Sequence, residues 1–427
     1  MFAKLIDTIE EEALEKNNIG IQIDHAEINS LDWVDDVATA AIGQEQQKET
    51  LEFVNSFAIK HKLEWGIEKC NVLQVGKENI TPKNWSLGEE QIESTKSYKY
   101  LGDIICRDGK NTENVKKRAE KLVPLATAII ASASNEVMKK VEVRTLLKLH
   151  ESISIPSVLT NCETWVLTEA DKNILESAEI KSLKRILNLP EKTPTNAIRA
   201  ITGTWTMGIR IQVRQLLYLK KILTRNCESN SKILLNALKE RNIGWAKYIT
   251  RVLNDFDLID DWAEIQKITV PKWKKQVHNA ADKKQIDYLK NECMKMKDSQ
   301  RRIGPKTASL YELLQDKNYQ PRGGSKLLDL EKTDAKCIIM SRHGMLLRAK
   351  KYRNRFNTNQ CKTCQTLDDE NHRANYCSEF QKTNRLHQEK KIDFSKVFSE
   401  NTSELKSISK ELQEIWDISY NQNSMKS

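Results

Sequence analysis

The sequence predicts a mainly helical α+β protein, and two observations lead to this prediction. Only 8 Pro and 14 Gly occur among 427 residues, so residues that break helices are scarce. Apolar and polar residues alternate in the manner of strands only within about residues 1–110, and helical spacing of apolar residues fills almost all of the remainder. We therefore expect an α+β unit over residues 1–110, followed by helical regions.

The first 110 residues divide into helical and strand-like runs. Helical spacing predicts helices over 2–14 and 44–63. Alternating or short continuous apolar runs predict strands over 19–23, 28–34, 37–42, 72–75 and 98–105. Two of these strands flank Asp35 and Asp36, so we expect a hairpin with two acidic residues at its tip.

The rest of the chain is predicted to be helical almost throughout. Thr168 and Asp171 have the spacing of a capping box, which predicts a helix that begins there and ends before Pro190. A second helix is predicted over 208–224. Four cations lie outside the apolar stripe of that helix, namely Arg210, Arg214, Lys220 and Lys221. The segment 320–325, with the sequence QPRGGS, predicts a linker.

The charge distribution predicts a polyanionic partner. The net charge is +10, and 22 basic against 9 acidic side chains lie between 271 and 357. A positive field of this density attracts RNA or DNA at long range. Lysines that only keep a helical protein in solution are the alternative. The longest apolar run, 124–133, is far shorter than the ~20 residues of a membrane-spanning helix, so we expect no membrane partner.

The cysteines indicate a metal site rather than disulfides. Nine cysteines, an odd number, occur without a secretory signal, which favours a reducing, intracellular compartment, nuclear or cytoplasmic. Cys361, Cys364, His372 and Cys377 follow the spacing C-x2-C-x7-H-x4-C. Three thiolates and an imidazole are donors that structural zinc prefers. The sequence therefore predicts a Zn²⁺ knuckle with these four ligands, and free thiols beside a chance histidine are the alternative.

A basic segment runs into this knuckle. Helical spacing would direct several of its side chains toward phosphates, and a solvated helix face is the alternative. The candidates for nucleic-acid binding are Arg342, Arg348, Lys350, Lys351, Arg353 and Arg355.

The acidic pair is interpreted through its surroundings. Two carboxylates at a tight turn can hold a hard divalent ion, but an Asp-Asp pair is also ordinary turn chemistry. Residues 32–38 (DWVDDVA) resemble motif C of reverse transcriptases, and 63–70 (LEWGIEKC) resemble their motif D. Residues 98–105 (YKYLGDII) resemble the primer-grip hairpin of non-LTR retrotransposon enzymes, and 1–12 resemble the helix after motif B. The segments follow one another in the order of that family.

This resemblance implies a site and a domain plan. Asp35 and Asp36 would bind Mg²⁺, and Lys69 would protonate the departing pyrophosphate of a dNTP. The zinc spacing resembles the Cys-Cys-His-Cys element of the group whose endonuclease is restriction-like. The implied order is the carboxyl-terminal part of the palm at 1–110, the thumb and helical connection at 111–225, a basic helical linker at 226–336, a basic helix with the knuckle at 337–380, and a helical tail at 381–427.

The chain departs from that family in two respects. A third carboxylate, on motif A, lies well before the hairpin in the family, whereas 34 residues precede Asp35 here. No Pro-Asp pair of a restriction-like nuclease occurs. We therefore expect a 5′-truncated fragment of an RNA-directed DNA polymerase that binds nucleic acid and does not polymerise alone. A non-catalytic, zinc-dependent nucleic-acid-binding protein derived from a retrotransposon is the alternative.

Overall fold

The structure is a computed structural model that describes part of the chain. The described residues are 8–9, 12–13, 19–24, 26–33, 36–76, 84–191, 193–227, 229–298, 326–342, 364, 370–378, 391–399 and 401–424. The predicted linker 320–325 lies outside these ranges. Seven of the predicted site residues also lie outside them, namely Asp35, Cys361, Arg348, Lys350, Lys351, Arg353 and Arg355.

The described chain is mainly helical with small sheets, as the sequence predicts. The strands are β1 Ile21–Ile23, β2 Ala26–Ile28, β3 Ser30–Trp33, β4 Asp36–Thr39, β5 Asn71–Leu73, β6 Asn84–Leu87, β7 Glu90–Thr95, β8 Ser97–Tyr100 and β9 Asp103–Cys106. The α-helices are α1 Gly43–His61, α2 Thr112–Ala119, α3 Leu122–Ala131, α4 Asn135–Lys140, α5 Val143–Leu149, α6 Ile155–Val158, α7 Glu169–Ile186, α8 Thr195–Thr202, α9 Met207–Leu223, α10 Asn230–Glu240, α11 Gly244–Asp255, α12 Trp262–Lys267, α13 Val270–Asp298, α14 Lys332–Arg342, α15 Glu370–Asn375 and α16 Thr402–Ser424. Within the described part of the chain, none of these helices combines the length and apolarity that crossing a bilayer requires.

The chain forms two compact units built from interleaved segments. The first unit comprises Met1–Lys117, Asn161–Asn173 and Ile211–Val277, and the second comprises Arg118–Thr160, Ile174–Arg210 and His278–Ser427. The five successive domains expected from the sequence stay a prediction.

In its described residues, the first unit contains three antiparallel hairpins and a small mixed sheet. The hairpins are β1–β2, β3–β4 and β8–β9. The sheet has the order β5-β7-β6, with β5 parallel and β6 antiparallel to β7. Leu101 and Gly102 connect β8 to β9 with φ of 46° and 85°. Two positive φ values are those of the tight turn that suits the twist of a two-residue hairpin, so the pairing of β8 with β9 is fixed locally.

Helix α1 supplies much of the apolar core of the first unit. Its spacing buries Leu51, Val54 and Phe57 along one face, and these pack with Trp85 and Ile92 of the small sheet. The helix ends at Lys62, whose backbone has φ of 55° and whose N–H donates to the carbonyls of Ala58 and Ile59. The helix predicted over 44–63 is thereby confirmed.

The capping box predicted before α7 is present. Thr168 Oγ1 accepts a hydrogen bond from the Asp171 N–H at 3.2 Å, and the Asp171 carboxylate accepts one from the Thr168 N–H at 3.0 Å. Reciprocal bonds of this kind satisfy donors that the first turn of a helix leaves open. The sequence therefore identified the start of this helix correctly.

The second unit has an apolar core that joins its late helices to earlier ones. Ile338 and Ile339 of α14, together with Leu405 and Leu412 of α16, pack in one cluster with Leu183 of α7. The backbone continues this association, because the Val143 N–H donates to the Leu330 carbonyl at 3.1 Å. The helix that carries the candidate metal ligand His372 packs against this core through Ala374.

Candidate metal centre and acidic hairpin

The predicted acidic hairpin forms. Strands β3 and β4 pair antiparallel in a register that places Trp33 opposite Asp36. Asp36 is therefore the first residue of the returning strand, and its side chain is exposed. The other predicted carboxylate, Asp35, is outside the described residues. The structure thus confirms the hairpin and places one of its two acidic residues.

The second predicted hairpin lies against the first. The Tyr100 hydroxyl, at the end of β8, donates a hydrogen bond to the Leu31 carbonyl of β3 at 2.8 Å. The Tyr98 hydroxyl donates to the Lys69 carbonyl at 2.9 Å. Lys69 closes a 3-10 turn over Ile67–Lys69, and its side chain is exposed. Two tyrosines of one strand therefore bind backbone groups of the first strand of the acidic hairpin and of the segment that resembles motif D.

The electrostatics agree with this proximity. Burial raises the pKa of the Tyr98 hydroxyl, and the Cys70 thiol and the Asp36 carboxylate raise it further. Burial also raises the pKa of Cys70, with a contribution from Glu68. Both groups are therefore neutral near pH 7, and Tyr98 is a hydrogen-bond donor.

The predicted zinc ligands converge in the second unit. One donor atom each from Cys364, His372 and Cys377 lies within 4.8 Å of the others. His372 and Cys377 are 8% and 5% exposed. The fourth predicted ligand, Cys361, is outside the described residues. Among the described residues this is the one group of three or more such donors close enough to hold a metal ion.

The backbone around α15 explains why two of these ligands meet. The N–H groups of Tyr376 and Cys377 both donate to the His372 carbonyl, at 2.8 and 2.7 Å. This closes the helix in a tight turn and brings Cys377 back beside His372. The hydroxyl of Ser378 lies 3.5 Å from the Cys364 sulfur, which places the third ligand against the same turn.

This turn is fastened to the core of the second unit. The Asn375 side chain donates to the Ile392 carbonyl and accepts from the Ile392 N–H, both at 2.8 Å. Ala374 and Ile392 are buried in the apolar cluster of that unit. A double hydrogen bond between a side chain and a backbone fixes both partners, so the ligand turn is held in one orientation.

The three donors fit a metal ion. Tetrahedral zinc binds sulfur at about 2.3 Å and imidazole nitrogen at about 2.0–2.1 Å, which puts ligand atoms roughly 3.5–3.8 Å apart. Two thiols and one imidazole within 4.8 Å are compatible with this arrangement. Partial burial, with two of the three residues shielded from solvent, is typical of a structural rather than an open catalytic site.

The one described member of the predicted basic segment lies inside the protein. Arg342 is 4% exposed, and its Nε donates to the Val397 carbonyl at 2.6 Å. This arginine is therefore engaged inside the protein, and the predicted phosphate contact stays a prediction. The guanidinium is used in holding α14 to the 3-10 turn at Phe394–Phe398.

Two further cations of the predicted helix 208–224 are also internal. Lys220 is 3% exposed and donates to the carbonyls of Ile265 and Gln266 at 2.9 and 2.8 Å. Arg210 binds both carboxylate oxygens of Glu151, at 2.5 and 2.6 Å. A cation that lies outside the apolar stripe of this helix can therefore be either exposed or bonded to carbonyls or carboxylates inside the protein. The helical pattern alone did not distinguish the two cases.

A buried network of charges in the second unit was missed by the sequence reasoning. The Arg199 side chain is fully buried, lies 2.7 Å from Glu176, and pairs with the fully buried Glu179. Arg210 contacts the same Glu179 at 3.3 Å. His150 is fully buried beside this network, and its two ring nitrogens have no hydrogen-bond partner among the described residues. The residues of this network lie between positions 150 and 210, so no local sequence pattern predicts it.

No protein-family model matches the chain, and none of the curated proteins matches it significantly.

Proposed function

We propose that this chain carries the carboxyl-terminal part of a reverse-transcriptase palm of the non-LTR retrotransposon kind and binds RNA or DNA inside the cell. The convergence of three predicted motif segments carries the proposal. Tyr100 binds the strand of the acidic hairpin, and Tyr98 binds the turn that ends in Lys69. Segments that resemble motif C, motif D and the primer grip therefore form one local arrangement.

The chemistry of these side chains suits a phosphoryl-transfer site. Asp35 and Asp36 would hold Mg²⁺, which stabilises negative charge on the reacting phosphates when bound. The exposed Lys69 would donate a proton or a hydrogen bond to the leaving phosphate. Tyr98 and Tyr100 would act as positioning residues, because each fixes the backbone of a segment that carries one of these groups.

DNA synthesis also requires a third carboxylate, which the family carries on motif A. A longer chain or a second polypeptide would supply it. From these 427 residues we therefore expect nucleic-acid binding without primer extension, since phosphoryl transfer depends on complete metal coordination and an aligned nucleotide.

Two measurements on the full chain test this proposal. Fluorescence anisotropy with labelled RNA and DNA should show binding that weakens as salt is raised, because released counterions drive the association. Primer extension on an RNA template with Mg²⁺ should give no product with either the native chain or Asp35→Ala. Absence of binding would contradict the proposal. Extension that Asp35→Ala abolishes would show that the third ligand lies within these residues.

A second candidate function is a non-catalytic, zinc-dependent nucleic-acid-binding protein. The observation that favours it is the convergence of Cys364, His372 and Cys377 on one point of the second unit. If this candidate is correct, removal of zinc abolishes nucleic-acid binding, whereas Asp36→Ala and Lys69→Gln leave it unchanged. The polymerase-derived function predicts that the latter two substitutions weaken binding of a primer–template.

A further inference from the structure

A cleft in the first unit is bordered by the β8–β9 hairpin, which contains the segment 98–105 that resembles the primer grip. It has a volume of about 740 Å³ and lies between the β8–β9 hairpin and helix α9, and the turn at Cys162–Thr164 closes one end. Ligand sites of small molecules and nucleotides have volumes of about 300–1,000 Å³. The cleft is therefore large enough for a nucleotide-sized group.

One wall of the cleft is a single face of α9. Arg214, Leu217, Tyr218 and Lys221 line the cleft at positions i, i+3, i+4 and i+7 of the helix. Residues at this spacing lie on one face. The wall consequently presents an aromatic ring between two cations, of which Lys221 is exposed.

The ring of Tyr218 is held in place from behind. It packs edge-on against Trp245, with ring centroids 6.1 Å apart and an interplanar angle of 78°. The Trp245 indole N–H donates to the Glu163 carbonyl at 2.9 Å. Aromatic pairs of this geometry are stabilising, so Tyr218 is a fixed platform rather than a mobile side chain.

The opposite wall combines apolar and cationic groups. Leu101 and Ile105 of the β8–β9 hairpin line the cleft and are 41% and 45% exposed. Lys110 lines the same wall and is exposed, with Asp108 3.8 Å from its ammonium group. Cations therefore border the cleft on both sides.

Hydrogen bonds join the side of the cleft that carries the β8–β9 hairpin to the segment 161–166, which also lines the cleft. The Asn161 side chain donates to the Leu101 carbonyl at 3.3 Å. Asn111 accepts from the Val166 N–H at 2.9 Å. Asp103, one of two acidic residues in the lining, accepts from Asn114 at 2.9 Å, so its carboxylate is partly satisfied within the wall. The cleft is thus a defined part of the folded first unit, stabilised by hydrogen bonds between the segments that line it.

We propose that this cleft binds single-stranded RNA or DNA, with one base stacked on Tyr218 and the flanking phosphates at Lys221, Arg214 and Lys110. An aromatic platform beside a line of cations is the arrangement that captures unpaired bases, because every base has a stacking face and every linkage a negative charge. A duplex keeps its bases stacked on each other and offers none to Tyr218. The inference rests on the proposed nucleic-acid binding. It adds that the bound nucleic acid is single-stranded and that it lies in this cleft.

The test compares binding of a labelled 12-nucleotide single strand with a hairpin duplex of the same total length, by anisotropy over a series of salt concentrations. Replacing Tyr218 by Ala should weaken single-strand binding by about 5- to 160-fold, since stacking contributes about 1–3 kcal/mol per base. Tyr218→Phe should bind the single strand as tightly as the native chain does, because the stacking face of the ring remains. Duplex binding should change little in either variant.

The exposed lysine gives a variant that does not depend on core packing. Lys221→Gln should reduce the slope of log affinity against log salt by about 0.7 for the single strand, the value expected for one lost phosphate contact. Lys272→Gln, at an exposed lysine of the same unit that does not line the cleft, is the matched control. It should leave the slope unchanged.

The outcomes separate this inference from the proposed function. If the native chain binds no nucleic acid, both fail. If it binds but Tyr218→Ala and Lys221→Gln bind the single strand as the native chain does, the cleft is not the site and the proposed function stands. If both variants lose duplex and single-strand binding equally, the assignment to single strands is overturned.

Discussion

The Tyr100 hydroxyl donates a hydrogen bond to the Leu31 carbonyl across 69 positions of the chain. This bond joins the end of β8 to the strand that leads into the acidic hairpin. Order along the sequence suggested that these segments belong to one site, and this contact shows that the β8–β9 hairpin reaches the acidic hairpin. The Tyr98 hydroxyl extends the arrangement to the Lys69 turn.

Replacing Tyr100 by Phe tests how much this contact stabilises the acidic hairpin. The ring is retained, and one hydrogen bond, worth about 0.5–1.5 kcal/mol net, is lost. Amide hydrogen exchange in peptides covering 30–39 should become roughly 2- to 12-fold faster, since exchange reports local opening. Tyr98→Phe is the matched variant and should act on 67–73 instead. Unchanged exchange at 30–39 in Tyr100→Phe would show that the bond does not support the hairpin.

Substitution of a single cysteine tests the metal centre. Purified chain should contain about one zinc per molecule, and Cys377→Ser should lose it, because a structural site needs its thiolate ligands. Cys227→Ser is the control, since Cys227 is exposed and its sulfur is not part of the cluster. Elemental analysis provides the measurement. A native chain without zinc, or a Cys377→Ser chain that keeps it, would contradict the assignment.

Loss of the metal should also loosen a defined part of the second unit. Because Asn375 ties the ligand turn to Ile392, chelation should speed exchange over 370–378 and 391–399 together. Peptides from the first unit, such as 43–61, should be unaffected. Uniform change over the whole chain would indicate general unfolding rather than release of a local site.

The sequence predicted those parts of the fold that short-range chemistry determines. The Thr168–Asp171 capping box, the acidic hairpin and the β8–β9 hairpin each arise from residues within a few positions of one another, and each is present. Strand β7 was missed because Glu90–Thr95 is polar except for Ile92, so its pairing depends on neighbours that are distant in sequence. Burial of Arg342 likewise depends on Val397.

The same distinction applies to the candidate sites. Spacing alone predicted that Cys364, His372 and Cys377 come together, because the members of this group are close in sequence. The sequence did not predict the cleft lined by Tyr218 and Lys110. Its walls come from segments about a hundred positions apart, which are brought together only by folding.

Replacing Arg199 by Met tests the buried charge network. The substitution leaves the fully buried Glu179 with Arg210 as its remaining cationic partner in this network. Breaking a buried ion pair from one side costs about 3–5 kcal/mol, because a charge stays desolvated without full compensation. Urea unfolding should show a loss of this size. Adding Glu179→Gln should recover part of it, and a double variant as unstable as the single one would contradict this interpretation.

The stability of the second unit should fall as the pH is lowered, and two titratable groups determine the pH range of this loss. Burial lowers the pKa of His150 below its ordinary 6.5, although Glu179 and Glu151 oppose this effect. Burial would raise the pKa of Glu179, but the charges of Arg199 and Arg210 outweigh it and hold that pKa below the ordinary 4.5. For both groups the folded state binds fewer protons than the unfolded state. Their contribution to stability is therefore complete above the unfolded pKa and is lost as the pH falls.

His150→Phe separates the two contributions. The variant removes the imidazole, so the decline in unfolding free energy between pH 6.5 and 4.5 should become shallower, by at most about 1.4 kcal/mol per pH unit. The decline below pH 4.5 should persist, because Glu179 is retained. Glu179→Gln should show the reverse pattern. Urea denaturation at a series of pH values measures both, and equal slopes above pH 4.5 in the native and His150→Phe chains would show that His150 does not titrate against folding.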